Sequence, residues 1–383
     1  MAPNYTVIEN PHLTASPVLP ARRTVESGDA IAILTDRQFH VFGDMVLRAL
    51  DHIDPYSGGA FVTGVYAAKR IHRLRPAHDT LPLIVEPEAM RKHLATEIEP
   101  FRIDIAEGEL FAPTLDAALD IQRLAGSDLA ITPSGQIRTG DSATLKAALR
   151  QANALDRRDV LFAVVLEAGW LSQEHLANQV IQVLNRSRHP VLLTFVDRKN
   201  PVESMLRQRS YARIFEETTG IVVAYRTDMT GFVARSRGAI AAAIGAYPRM
   251  RRMTPVGERG SAIDPEDMSP HMLIADMLRF VRSTHMRREW FAAVHGINCF
   301  CDICRGAAID RLHGSNAERE LGHLHGMEEV GRIHSTMVGL SQPQIADVWR
   351  KAVAGALDTY PQLEAHVGAP IKIPNDLKVW AEF

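Results

Sequence analysis

The chain has 383 residues, 46% of them hydrophobic, and a formal net charge of −2. That length and apolar content exclude disorder as the main state and suit one large core or two smaller ones. Near-neutral charge excludes a global pull toward polyanions, so any nucleic-acid site must be a local patch.

Residues 1–29 carry four prolines and little periodicity, and read as an irregular N-terminal arm. Residues 30–255 alternate short apolar runs with amphipathic segments, the pattern of a parallel sheet covered by helices. The predicted strands are Ala30–Leu34, Ala60–Tyr66, Pro82–Val85, Asp128–Thr132, Val160–Leu166, Val191–Val196, Ile221–Tyr225 and Ala239–Ile244. Each is continuously apolar, as a strand buried on both faces should be. Eight such runs predict an α/β fold closed into a (β/α)8 TIM-like barrel. Helices are expected between them at Thr114–Leu124, Ala143–Ala154, Gln173–Asn185 and Val202–Thr218.

Residues 256–383 are expected to form a C-terminal helical zinc-binding subdomain. Ser269-Pro270 reads as a helix start, Leu273, Met277, Phe280 and Val281 as an apolar stripe, and Gly296 as the stop of a helix reaching His295. Two further helices are expected at Asn316–Leu340 and Pro343–Leu357. The longest apolar stretch, Gly238 to Ala246, is too short to cross a bilayer, and the N-terminus lacks a basic region followed by an apolar core. A cytoplasmic protein without membrane contact is expected.

All three cysteines fall within Cys299-Phe-Cys301-Asp-Ile-Cys304, the opposite of a dispersed disulfide framework. Three thiols on one tight loop can converge on a zinc ion at the roughly 2.3 Å distance of tetrahedral thiolate sites. Histidines follow at 313, 323, 325 and 334, and His325 is the leading candidate to complete a closed, structural Cys3His site. Arg305 and Arg311 stand close enough in sequence to offset the residual negative charge.

The Cys-x-Cys-x2-Cys spacing with a later histidine, placed after a predicted barrel, resembles the tRNA-guanine transglycosylase family. Phe101-Arg-Ile-Asp-Ile-Ala-Glu-Gly108, Leu115 to Gln122 and Gly126-Ser-Asp-Leu-Ala-Ile131 are similar to its hairpin, helix and strand leading to a first catalytic aspartate. Leu161 to Trp170 resembles the strand that carries a substrate loop. The likeness in order of elements covers roughly residues 80 to 350. It implies base exchange at a nucleobase–sugar bond, a structural zinc, a nucleic-acid partner (tRNA or DNA), and a homodimer or a heterodimer with an active homologue. The family uses two aspartates, one as nucleophile and one in proton transfer. Here Ser134 stands at the first position and Ala243 near the nucleophile position, and an alanine cannot form a covalent sugar adduct.

Polar residues at the C-terminal ends of barrel strands face the mouth. They are Glu86, Ser134, Glu167, Asp197, Arg226 and Asp228. Asp228 is the candidate substitute nucleophile or base, and Glu167 the candidate reader of a purine edge, since a carboxylate accepts from ring and exocyclic N–H groups. Gly245, Arg249, Arg251 and Arg252 follow the last strand, where barrels often hold phosphate. Arg287 and Arg288 with Trp290 extend that basic run toward a nucleic-acid backbone. Of 43 basic residues, 36 are arginine, whose planar fork suits phosphate, but a composition bias spread over the whole surface is the better explanation of the excess. Three functions therefore stand open: a divergent base-exchanging enzyme, a catalytically degenerate nucleic-acid-binding or partner subunit, and, less strongly supported, an unrelated barrel enzyme of small-molecule metabolism that acquired a zinc module.

Overall fold

The computed structural model describes residues 29–43, 46–103, 113–260 and 266–383. The arm, except Asp29, and residues 104–108 of the segment resembling the family hairpin lie outside those residues. Nine apolar runs build one sheet: β1 (Gln38–Phe42), β2 (Gly58–Val62), β3 (Leu83–Val85), β4 (Ala130–Ile131), β5 (Gln136–Ile137), β6 (Val160–Glu167), β7 (Val191–Val196), β8 (Val222–Thr227) and β9 (Ala241–Gly245). Every pairing is parallel, and β1 closes on β9 through Gln38 opposite Ala242. β4 and β5 are two pieces of one position, both paired with β6. At the remaining seam, Asp128 N donates to Leu83 O at 2.8 Å while the Asp128 carboxylate accepts from Leu83 N at 2.7 Å. The sheet is thus a nearly closed barrel of eight parallel strand positions, as predicted.

The two-fold repeat of a strand sorts its side chains. Phe39, Val41, Phe61, Ile84, Ile131, Ala163, Val165, Tyr225 and Ala243 fill the interior. Their neighbours point outward onto helices α1 (Ala30–Leu34), α2 (Ala67–Leu74), α3 (Leu115–Leu124), α4 (Ser142–Asn153), α5 (Glu174–Leu184), α6 (Met205–Glu217), α7 (Thr230–Ser236) and α8 (Asn316–Ser335). Side-chain caps start several of them: Thr114, Asp141 and Ser204 each accept an orphan N–H, and Ser315 forms a reciprocal capping box with Glu318. Such caps contribute about 1 kcal/mol each.

After β9 the chain makes the hairpin β10 (His271–Ile274) and β11 (Arg279–Arg282), then β12 (Asn298–Cys299) and β13 (Ala307–Ala308), before α8, α9 (Gln342–Val367) and α10 (Asn375–Trp380). These elements share their core with the barrel. Phe232 of α7 stacks on Trp349 of α9 at 5.6 Å, and Met229, Val233 and Ile244 pack with Leu273, Ile333 and Tyr360.

Two sequence expectations are corrected. Ala30–Leu34 is a helix capped by the Asp29 carboxylate, and the first strand is Gln38–Phe42. Gln38 and His40 break that strand's apolar run because they face outward into the helix layer, where they are nonetheless buried. The helix expected from Ser269 to His295 is instead a hairpin followed by a short irregular helical stretch through Trp290. Its apolar stripe survives in another form: Leu273, Met277 and Val281 meet in one core because Leu278, at φ 51°, turns the chain back on itself. The helix expected to stop at Leu357 runs to Val367 despite Pro361, held by burial of Tyr360 and Leu363.

Candidate functional site

The cysteine loop is set by its own backbone. Cys304 N and Arg305 N both donate to Cys301 O, at 3.1 and 2.8 Å, and Gly306 N returns to Cys299 O at 2.8 Å. Gly306 holds φ +85°, a left-handed conformation that favours glycine, and so closes the turn between β12 and β13. The loop presents its sulfurs to α8, where His325 Nδ1 lies 3.6, 3.5 and 3.4 Å from the Sγ atoms of Cys299, Cys301 and Cys304. All four ligand atoms lie within 4.8 Å of one another and could hold a metal ion. His325 Nε2 donates to Leu273 O of β10 at 2.8 Å, which leaves the Nδ1 lone pair for the sulfur side.

Surrounding charge favours thiolate at one end. Hydrogen bonds from the Cys299 and Cys301 thiols, then Arg311, pull the Cys304 thiol far down, and the same sharing pushes Cys299 up. Both terminal nitrogens of Arg311 reach Cys304 Sγ, at 3.5 and 3.6 Å. Arg305 is exposed and bonds Asp302 O instead, so of the two expected charge partners only Arg311 reaches a sulfur. On the other flank Glu329 lies 3.5 Å from Cys299 Sγ and is held by Arg332 at 2.9 Å. The remaining histidine candidates lie elsewhere: His313 on Arg287, His323 beside Tyr247, and His334 near Asp36 O.

The barrel mouth is built differently. Glu86 follows β3 and Arg226 lies in β8, and they meet there as a doubly bonded ion pair, with nitrogen–oxygen distances of 2.7 and 2.9 Å. Thr63 Oγ1 and Arg91 Nε also donate to Glu86, at 2.6 and 2.9 Å, and the Tyr225 hydroxyl donates to its other oxygen. Neither charged side chain is more than 2% exposed. Burial alone would raise the Glu86 pKa, but Arg226 first and Arg91 next hold it at about 2. Arg226 adopts φ +55° at a shift in strand register, a conformation unfavourable for a residue with a Cβ; the ion pair offsets its cost.

A strap from Tyr247 to Val256 crosses above this pair. Asp197 N bonds Met253 O at 3.0 Å, the Gln136 amide bonds Thr254 O and Val256 N at 3.1 and 2.8 Å, and Arg226 reaches Arg252 O at 3.5 Å. Met253, 2% exposed, inserts into the barrel's interior core.

The sequence candidates are therefore dispersed. Glu86 and Arg226, expected to meet substrate, bond each other. Asp228 caps the start of α7 by accepting from Thr230 N and Oγ1, while Glu167 accepts from Thr139 N at 2.8 Å. Asp197 pairs with Arg207 at 3.0 Å, and Ser134 bonds Thr132 at 2.9 Å. Ala243 is fully buried inside the barrel. Cavities of about 170 Å³ beside Pro87, Arg102 and Gln122 and of about 260 Å³ beside the sulfurs are lined by neither Asp228 nor Glu167. Gly245 accepts from Arg251 Nε at 3.0 Å, Arg249 is exposed, and Arg252 is half-buried. Around Arg251 stand His271, Arg282, Arg319 and His323, none of which the sequence singled out as an anion site. The i, i+4 spacing of Arg319 and His323 was the only available signal.

No family model matches the chain, and neither does any curated protein. Among solved structures the chain is similar to the carboxyl transferase domain of Rhizobium etli pyruvate carboxylase, solved with 3-bromopyruvate. The identity is 11%, the match covers 98% of this chain and 68% of that one, and the TM-score is 0.30. So low a score carries no argument about fold or function. Among the described residues no helix is long and apolar enough to cross a membrane.

Proposed function

We propose that this chain is a zinc-stabilised barrel of the transglycosylase type that binds nucleic acid, tRNA or DNA, without exchanging its bases. The observation that carries the reading is the filled mouth. Where a base would have to enter, the chain places the Glu86–Arg226 pair and Met253, and the position near the expected nucleophile is Ala243. Asp228 and Glu167 each accept from backbone N–H groups, of Thr230 and Thr139, rather than from each other.

The four-residue cluster fits zinc. For metal–ligand distances of roughly 2.3 Å to sulfur and 2.0–2.1 Å to nitrogen, a tetrahedron has a sulfur–nitrogen edge of about 3.5 Å. The three distances here are 3.4 to 3.6 Å. Cys299, Cys301, Cys304 and His325 would hold the ion, which supplies cross-linking and no chemistry because every position is taken by protein. His325 is oriented by Leu273 O, and Arg311 offsets thiolate charge at Cys304.

The test is a pair of measurements on the full chain. Binding of labelled tRNA and duplex DNA should saturate and weaken steeply with salt, while labelled guanine or a deazaguanine base should not be incorporated into either polymer. Base exchange that is lost in Asp228→Ala would overturn the reading.

A further inference from the structure

The geometry points to a phosphate-binding site on the barrel rim, formed by Arg251, His271, Arg319 and His323 where the strap, the β10–β11 hairpin and α8 meet. It deepens the nucleic-acid reading above, but its probe is phosphate alone, so the two can fail separately.

Three elements converge there. His271 and Arg282 are paired across the hairpin, and Phe280 lies on the same face two residues before Arg282. The Arg251 guanidinium stacks on the Phe280 ring, 3.3 Å from its centroid, and its Nε is fixed by Gly245 O. Helix α8 brings Arg319 and His323, one turn apart, and Gly326 on the same face lies beside Phe280. Gly322 makes that approach possible, because a Cβ there would run into the Pro270 ring. The His323 ring packs on Tyr247 at 5.3 Å.

The donors left over point to an oxyanion. Arg251 has its Nε occupied and its two terminal nitrogens without a hydrogen-bond partner among the described residues. Arg319 Nε and His323 Nδ1 are buried without partners. His271 Nε2 accepts from Arg282 Nε at 3.2 Å, which places its proton on Nδ1 as a further donor. Of the nearby cations, Arg282 is neutralised by Asp267 at 2.9 Å, while Arg251, Arg252 and Arg319 have no ion pair among the described residues. Burial first, and the charges of Arg251 and Arg282 next, hold His271 at about 4, so it is a neutral donor at pH 7 in a positive field. A stacked guanidinium fork, a second arginine N–H and two imidazole rings suit a tetrahedral oxyanion. The position, after the eighth strand of the ring, is where barrels hold phosphate.

Inorganic phosphate titrated into the metal-loaded full chain, followed by calorimetry and by phosphorus NMR line width, should bind saturably. Arg319→Gln combined with His323→Gln should weaken it roughly tenfold or more, and Arg251→Lys should weaken it while keeping the charge. Arg305→Gln, on the exposed side of the cysteine loop, should not change it. Thermal unfolding of each variant shows whether the fold is intact. Displacement of bound phosphate by an oligonucleotide assigns the site to a nucleic-acid backbone, and displacement by ribose 5-phosphate alone assigns it to a phosphorylated small molecule. Absent saturation, equal binding by the folded double variant, or phosphate that neither competitor displaces, leaving an adventitious ion only, would overturn the site.

Discussion

The cysteine loop and the barrel mouth both bury polar groups, and they do so with opposite logic. The loop aims four donor atoms at one point, with backbone and Arg311 fixing them from behind. The mouth satisfies itself: Glu86 takes donors from Arg226, Thr63, Arg91 and Tyr225. A set of ligand atoms converging on one point implies a ligand, whereas a set whose members bond one another implies structure. Polar residues at the end of a barrel strand therefore cannot be counted as a site until their partners are known.

The strongest way to break this contrast is at the loop. Cys304→Ala, or metal removal by a chelator, should cost more than any other change described here, since thiolate zinc sites in small domains contribute roughly 10–16 kcal/mol of apparent folding energy. Metal content and the thermal unfolding of the C-terminal elements would report it; an unchanged melting profile would place the loop outside the stability of the fold. Next comes the mouth. Glu86→Ala strands a buried Arg226 and should cost about 3–5 kcal/mol in urea unfolding, while Glu86→Leu with Arg226→Met should recover most of it. The pair has a pH signature. The Glu86 pKa is depressed from 4.5 to about 2 in the fold, so its contribution is complete above the unfolded value and is lost as pH falls through the folded one. Glu86→Gln should remove that acid-limb dependence.

Smaller effects sharpen the comparison. Arg311→Ala should lower metal affinity roughly 10- to 100-fold in chelator competition, and Arg305→Ala should not. Asp228→Asn keeps an oxygen for Thr230 and should change stability by no more than about 0.5 kcal/mol, with nucleic-acid binding intact. Binding lost with Asp228→Asn would return the mouth to the list of sites.

The strands from β6 to β9 were legible because buried parallel strands are apolar throughout, and Val191–Val196 matches to the residue. β1 was not, since Gln38 and His40 sit on an outward face that is itself covered. The hairpin at 271–282 was hidden because Leu273, Met277 and Val281 repeat at helical spacing while meeting through a tight turn. At the site, three cysteines in six positions pointed to a group that could hold a metal, and the choice among four histidines needed the helix phase that puts His325 toward the loop. That Glu86 and Arg226 would find each other lies 140 residues apart in the chain and is invisible to local pattern.

Helix α8 carries His325 to the sulfurs, and it also covers the start of the barrel. Leu324 and Met327 pack with Phe42 and Val62, and His334 reaches Asp36 O. The first strand thus waits for β9 as its neighbour and for α8 as its roof. During synthesis the N-terminal strands emerge long before either exists, so closure is a late, long-range event of the kind that slows folding. An ion bound between the cysteine loop and α8 would tie the loop to the helix that roofs the first strands.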